Sequence, residues 1–219
     1  VSAFAIAVAV TIAATLGLLF AEARESRGGV WICKPLAAAG FLAAALANGA
    51  LESGYGTWIF AGLLLSALGD VLLIPKGAKT FFLAGLVSFL LGHLAYAGAF
   101  ALRGLELRSA TAAAAPVAGA SMIALRYLWP HVQARAPKLQ IPVLVYVAVI
   151  STMVVCAAAS IGKVWNPWIL PGAVAFYASD LAVARQRFVA ETFSNKVWGT
   201  PLYFGAQLLL AASVAPNPP

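Results

Sequence analysis

Apolar runs about 20 residues long recur from one end of this chain to the other, separated by short polar connections. A helix of that length crosses the hydrocarbon core of a bilayer, and inside lipid a helix satisfies its own backbone hydrogen bonds. The runs predict spans over 3–21, 30–48, 57–74, 80–101, 110–129, 141–160, 168–184 and 196–214. The chain therefore reads as all-α, a polytopic transmembrane helix bundle with about eight spans forming a single integral membrane domain over 1–219.

Composition supports this and removes the alternatives. Of 219 residues, 63% are hydrophobic and 10% charged, against roughly 25% charged in ordinary soluble domains. Mean hydropathy is +0.92. A soluble chain this poor in polar residues could not cover its own surface. A membrane β-barrel needs short strands of alternating polarity, whereas these runs are long and rich in Ala and Leu. The first run lacks a basic leading segment and reads as a retained span. Pro35 and Pro142 fall in opening helical turns, where proline is tolerated. Pro130–Leu139 and Arg185–Ser194 read as loops, and the tail Ala215–Pro219 is too proline-rich to extend a helix far. Trp31, Trp58, Trp129, Trp165, Trp168 and Trp198 fall near span ends, as an interfacial aromatic belt would place them.

The formal net charge of +7 does not point to nucleic acid, because the bases sit in the connections. Those joining spans 1–2, 3–4, 5–6 and 7–8 hold Arg24, Arg27, Lys34, Lys76, Lys79, Arg135, Lys138, Arg185, Arg187 and Lys196. The opposite side holds Arg103, Arg108 and Lys163. By the positive-inside rule the first set faces the cytoplasm, and eight spans then place both termini outside, in a bacterial plasma membrane. Cys33 and Cys156 lie in apolar runs and read as small packing residues. With two histidines and two separated cysteines, no metal site and no cofactor are expected.

Polar groups inside spans are costly in lipid, so they are the functional candidates. Asp70 lies within span three, about a turn from its cytoplasmic end, near Ser66 and Gly69, which allow a second helix to approach closely. Asp180 lies near the cytoplasmic end of span seven. His93 is deep in span four, with Tyr96 three residues on and on the same face. Each has a plain structural alternative. Asp70 could bond a neighbouring helix, Asp180 could pair with Arg185 or Arg187, and His93 with Tyr96 could be a buried hydrogen-bonded pair. Lys34 and Lys196 begin spans two and eight and could simply snorkel to head groups. Tyr203 and Gln207 share a face of span eight, where lining and packing roles are equally open. Given the loop bias, Lys34, Asp70, Asp180 and Lys196 share the cytoplasmic side, so one cavity could collect them. Two carboxylates close together titrate as a coupled pair, which suits acid–base hydrolysis and equally suits a proton-coupled carrier.

These motifs resemble the YhhN-like membrane protein family, which includes the animal lysoplasmalogenases. The resembling pieces are Lys34-Pro35-Leu36, Ser66 to Asp70, and Phe82 through Gly85 to His93 and Tyr96. They continue with Tyr177 through Ser179-Asp180 to Arg187-Phe188, and close with Pro201-Leu202-Tyr203 and Ala206-Gln207. They span about residues 31–210 in the family's order. The resemblance implies eight spans and hydrolysis of the vinyl ether bond of a lysolipid to a fatty aldehyde and a glycerophospho-head group. On that reading Asp70 and Asp180 are the acid–base pair, with Asp180 preferred as the acid and the roles exchangeable. His93 and Tyr96 would shuttle a proton or orient water. Lys34, Arg187 and Lys196 would hold the head-group phosphate, and Tyr177, Tyr203 and Gln207 would line the substrate site. The expected partners are the lysolipid and membrane lipids, with no nucleic acid and no obligate protein partner. A proton-coupled transporter and a structural factor without chemistry remain the rival classes.

Overall fold

A computed structural model describes residues 2–75, 77 and 79–215. Lys76 and the tail beyond Ala215 lie outside the described residues. Eight α-helices and no strand occur among the described residues: α1 Ala3–Ala23, α2 Arg27–Ala47, α3 Gly54–Leu72, α4 Lys79–Leu102, α5 Leu107–Arg135, α6 Gln140–Ile161, α7 Ile169–Ala184 and α8 Phe193–Ala212. Serine caps start the first three. Ser2, Ser26 and Ser53 accept from the amides of Ala5, Gly29 and Gly56, satisfying amides that have no carbonyl in the first turn. Helices α1 to α4, together with the segment Pro137–Ile161 that contains α6, are each long and apolar enough to cross a membrane. The 16-residue α7 is shorter, and α5 and α8 are more polar, α8 with Asn195, Lys196 and Gln207. The architecture is that of a polytopic membrane protein.

Two elements run furthest past their predicted limits. Helix α5 continues through Pro130 to Arg135. Proline removes one helical hydrogen bond there, but Leu128 and Val132 on either side are buried with Val143 and Phe188, and that packing carries the helix another turn. After α7 the chain makes a π-turn over Arg185–Val189 before the connection to α8. It widens the helix by one residue per turn and lets Phe188 turn inward while Arg187 stays exposed.

Helix pairs α1–α2, α3–α4, α5–α6 and α7–α8 pack as neighbours, as short connections require. The succession breaks once: α4 packs mainly on α3 and α6, whereas α5 lies on α6 and the π-turn. Helix α8 closes the bundle against α1, α2 and α3. The α3–α4 seam depends on glycine. A Cβ on Gly62 would strike the Tyr96 ring, and one on Gly69 would meet Phe89 at 2.7 Å. Small residues of this kind let membrane helices approach closely. Ser88 on α4 donates to the Leu65 carbonyl on α3 at 2.6 Å across the same seam.

Candidate active site

Asp70 is in the last turn of α3, with its side chain 3% exposed. Lys34 from α2 places Nζ 3.2 Å from Oδ1 and also donates to the Asp70 backbone carbonyl at 3.1 Å. The Tyr203 hydroxyl from α8 donates to Oδ2 at 2.6 Å. Three helices thus converge on this carboxyl, and each oxygen has a donor. A carboxylate in a dry interior persists only with such partners.

Asp180 on α7 has a different setting. The Tyr146 hydroxyl from α6 donates to Oδ2 at 2.8 Å. His93 Nε2 from α4 lies 3.4 Å from the same oxygen, close enough for an ion pair but without hydrogen-bond geometry. Oδ1 takes part in neither contact. The side chain is 16% exposed, and Asp180 lines a cavity of about 430 Å³ that Asp70 also lines. The two carboxyls share a cavity without being paired. Phe176 separates their partners: its ring centroid is 4.3 Å from that of His93 and 5.5 Å from that of Tyr203.

Seven of the ten residues singled out in the sequence line this cavity: Lys34, Asp70, Tyr177, Asp180, Arg187, Lys196 and Tyr203. The other three, His93, Tyr96 and Gln207, are fully buried and are not among its lining residues. His93 and Tyr96 share the inner face of α4 but have different partners. The Tyr96 hydroxyl donates to Gln207 Oε1 at 2.6 Å, tying α4 to α8. Lys196 pairs with Glu22, closing α8 onto α1. The Arg187 guanidinium stacks over Phe82, 4.4 Å from the ring centroid. The Tyr177 hydroxyl lies 2.9 Å from Ser121 Oγ, itself 2.8 Å from Ser151 Oγ. Two cavity residues escaped the sequence reading. Tyr146 sits in the uniform run Val143–Ile150, where its hydroxyl was the one available signal. Glu22 reads as an ordinary charged helix end.

The YhhN family model matches residues 29–214. The chain belongs to the YhhN family. All the cavity residues named above except Glu22 fall inside that match. This YhhN-family chain is 35% identical over 160 residues to a protein named lysoplasmalogenase from Mycobacterium bovis, covering 71% of this chain and 59% of that protein. It is 32% identical over 168 residues to lysoplasmalogenase TMEM86A of Bos taurus, covering 72% and 65%. The match to lysoplasmalogenase TMEM86B of Mus musculus is also 32% identical over 168 residues, covering 75% and 67%. The chain thus spans about three fifths of the length of the mycobacterial relative. No solved structure matches it.

Proposed function

We propose that this protein hydrolyses the vinyl ether bond of a lysoplasmalogen-like lysolipid, releasing a fatty aldehyde and a glycerophospho-head group. One observation carries the reading: two carboxyls line one cavity in unlike surroundings. Asp70 has a donor on each oxygen and serves as a fixed anion. Asp180 has one oxygen outside its partner contacts and serves as the group that transfers protons. The relatives named lysoplasmalogenase support the substrate class.

The chemistry follows from those roles. Asp180 gives a proton to the alkene carbon next to the ether carbon, leaving an oxocarbenium ion that the Asp70 carboxylate stabilises. Water adds to the cationic carbon and returns one proton to Asp180. The hemiacetal then collapses to aldehyde and alcohol. The proton spent is the proton regained, and water is the one co-reactant. The alkenyl chain occupies the apolar wall formed by residues such as Leu86, Phe89, Val143 and Ile150. Lys34 and Lys196 are engaged with carboxylates. Arg187, held by an aromatic ring, is the cation best placed for the head-group phosphate. All eight helices cross the plasma membrane, with the basic connections and the cavity mouth on the cytoplasmic side and both termini outside.

The test is aldehyde release by the purified protein from a lysoplasmalogen. Asp180→Asn and Asp70→Asn should each lower kcat by about 10²-fold or more at matched folding. Wild-type activity in either variant removes that residue from the chemistry. Proton-coupled flux of an intact lipid without turnover would replace the hydrolase with a carrier.

A further inference from the structure

His93 commits its two nitrogens in different ways. Nδ1 lies 2.6 Å from the Phe89 carbonyl, one turn back on α4. A carbonyl only accepts, so Nδ1 carries a proton in both charge states of the ring. Nε2 must therefore be either a bare acceptor or a second donor. It faces Asp180 Oδ2 at 3.4 Å and has no hydrogen-bond partner among the described residues. The ring is fully buried, packed between Phe176 and Tyr146. Two lone pairs facing each other in a dry interior repel, and a proton on either Nε2 or the carboxyl removes the conflict. Tyr146 cannot do so, because its hydroxyl already points its hydrogen at that oxygen.

We infer that His93 is the proton store of Asp180, a positioning residue that acts through Asp180 and never touches substrate, with Tyr146 holding the shared oxygen. The inference rests on the reading in which Asp180 transfers protons. The pair holds one proton between imidazole and carboxyl. When Asp180 delivers a proton to the alkene carbon, the pair is left one proton short. The attacking water restores it, so the store empties and refills once per turnover with no net consumption. Three groups from three helices meet here: His93 from α4, Tyr146 from α6 and Asp180 from α7. Among the described residues, the other ionisable groups on the cavity wall form no hydrogen bond or ion pair with His93 or Asp180. Asp70 is held by Lys34 and Tyr203 from α2 and α8, and Glu22 of α1 is held by Lys196. Tyr177 bonds Ser121, and Lys79, Arg187 and Glu191 are exposed lining residues of the cavity.

His93→Gln is the discriminating variant. Glutamine fills similar space and its amide nitrogen can donate to Asp180, but it cannot take up a proton. The expected result is a fall in kcat of about 10²-fold with KM within about twofold, because His93 lies off the cavity wall. The pH–rate profile should also change form. The coupled pair contributes two limbs, and the variant should keep the one that belongs to Asp180 alone. Tyr146→Phe should lower kcat while keeping both limbs. Near-wild-type kcat with an unchanged profile in His93→Gln would show a merely structural histidine and overturn the inference.

A second measurement does not depend on turnover. The chain has two histidines, His93 and His131, so His131→Gln in ¹⁵N-histidine-labelled protein isolates one ring. Its Nε2 resonance should move on Asp180→Asn and stay in place on Asp70→Asn. A resonance indifferent to Asp180→Asn overturns the shared proton. Wild-type protein that releases no aldehyde sinks the hydrolase reading instead, and the spectra then decide the proton sharing by themselves.

Discussion

Lys34 and Tyr203 occupy the two oxygens of Asp70, and each can be removed with little change in shape. Lys34→Met leaves a buried carboxylate without its counter-charge, a change that costs about 3–5 kcal/mol when one partner of a buried pair is lost. Tyr203→Phe removes one hydrogen bond and should cost about 1–3 kcal/mol. Thermal unfolding in detergent should rank them Lys34→Met below Tyr203→Phe below wild type. The reverse order would mean that the lysine belongs to the head group and not to Asp70. The same residues show the limit of sequence reading at this scale. Asp70, Asp180 and His93 were legible because a charge or imidazole inside an apolar run is costly in lipid. Tyr146 was not, because a tyrosine among valines is ordinary, and its hydroxyl gains a meaning only from the carboxyl that α7 brings to it.

Helix positions followed closely from the apolar runs, and errors were confined to ends. Proline reads as a stop in a sequence, yet burial of Leu128 and Val132 outweighs one lost backbone bond in α5. Pairing of helices is set by the smallest residues. At Gly62 an added methyl has no space beside Tyr96, whereas at Gly205 nothing lies within 4 Å. Gly62→Ala should therefore destabilise by about 1–3 kcal/mol through overpacking and lower activity by moving Tyr96 off Gln207. Gly205→Ala should be neutral or stabilising by up to about 1 kcal/mol, since alanine is the better helix former. Parallel measurements of unfolding temperature check both. Equal effects at the two sites would contradict the close α3–α4 approach.

At the scale of the molecule, the loop charges and the cavity should share a side. In a background with Cys33 and Cys156 replaced by serine, Lys138→Cys should react with an impermeant thiol reagent from the cytoplasmic face. Lys163→Cys should react from the opposite face. Both residues are exposed, so labelling reports sidedness and not burial. Reversed labelling would invert the bundle and put the cavity mouth outside.

The run lengths, the paucity of charge and the isolated polar residues determined by themselves that this chain is a helical membrane bundle with a few costly groups inside it. They suffice because hydropathy acts locally, residue by residue, along one segment. The division of roles among those groups was decided by the tertiary structure. Closure of α8 against α1–α3 and the convergence of α4, α6 and α7 gave one aspartate a lysine and a tyrosine and the other a histidine and a tyrosine on a single oxygen. A carboxyl's chemistry depends on what lies within a few ångströms of it. In a bundle those neighbours come from helices far apart in the chain.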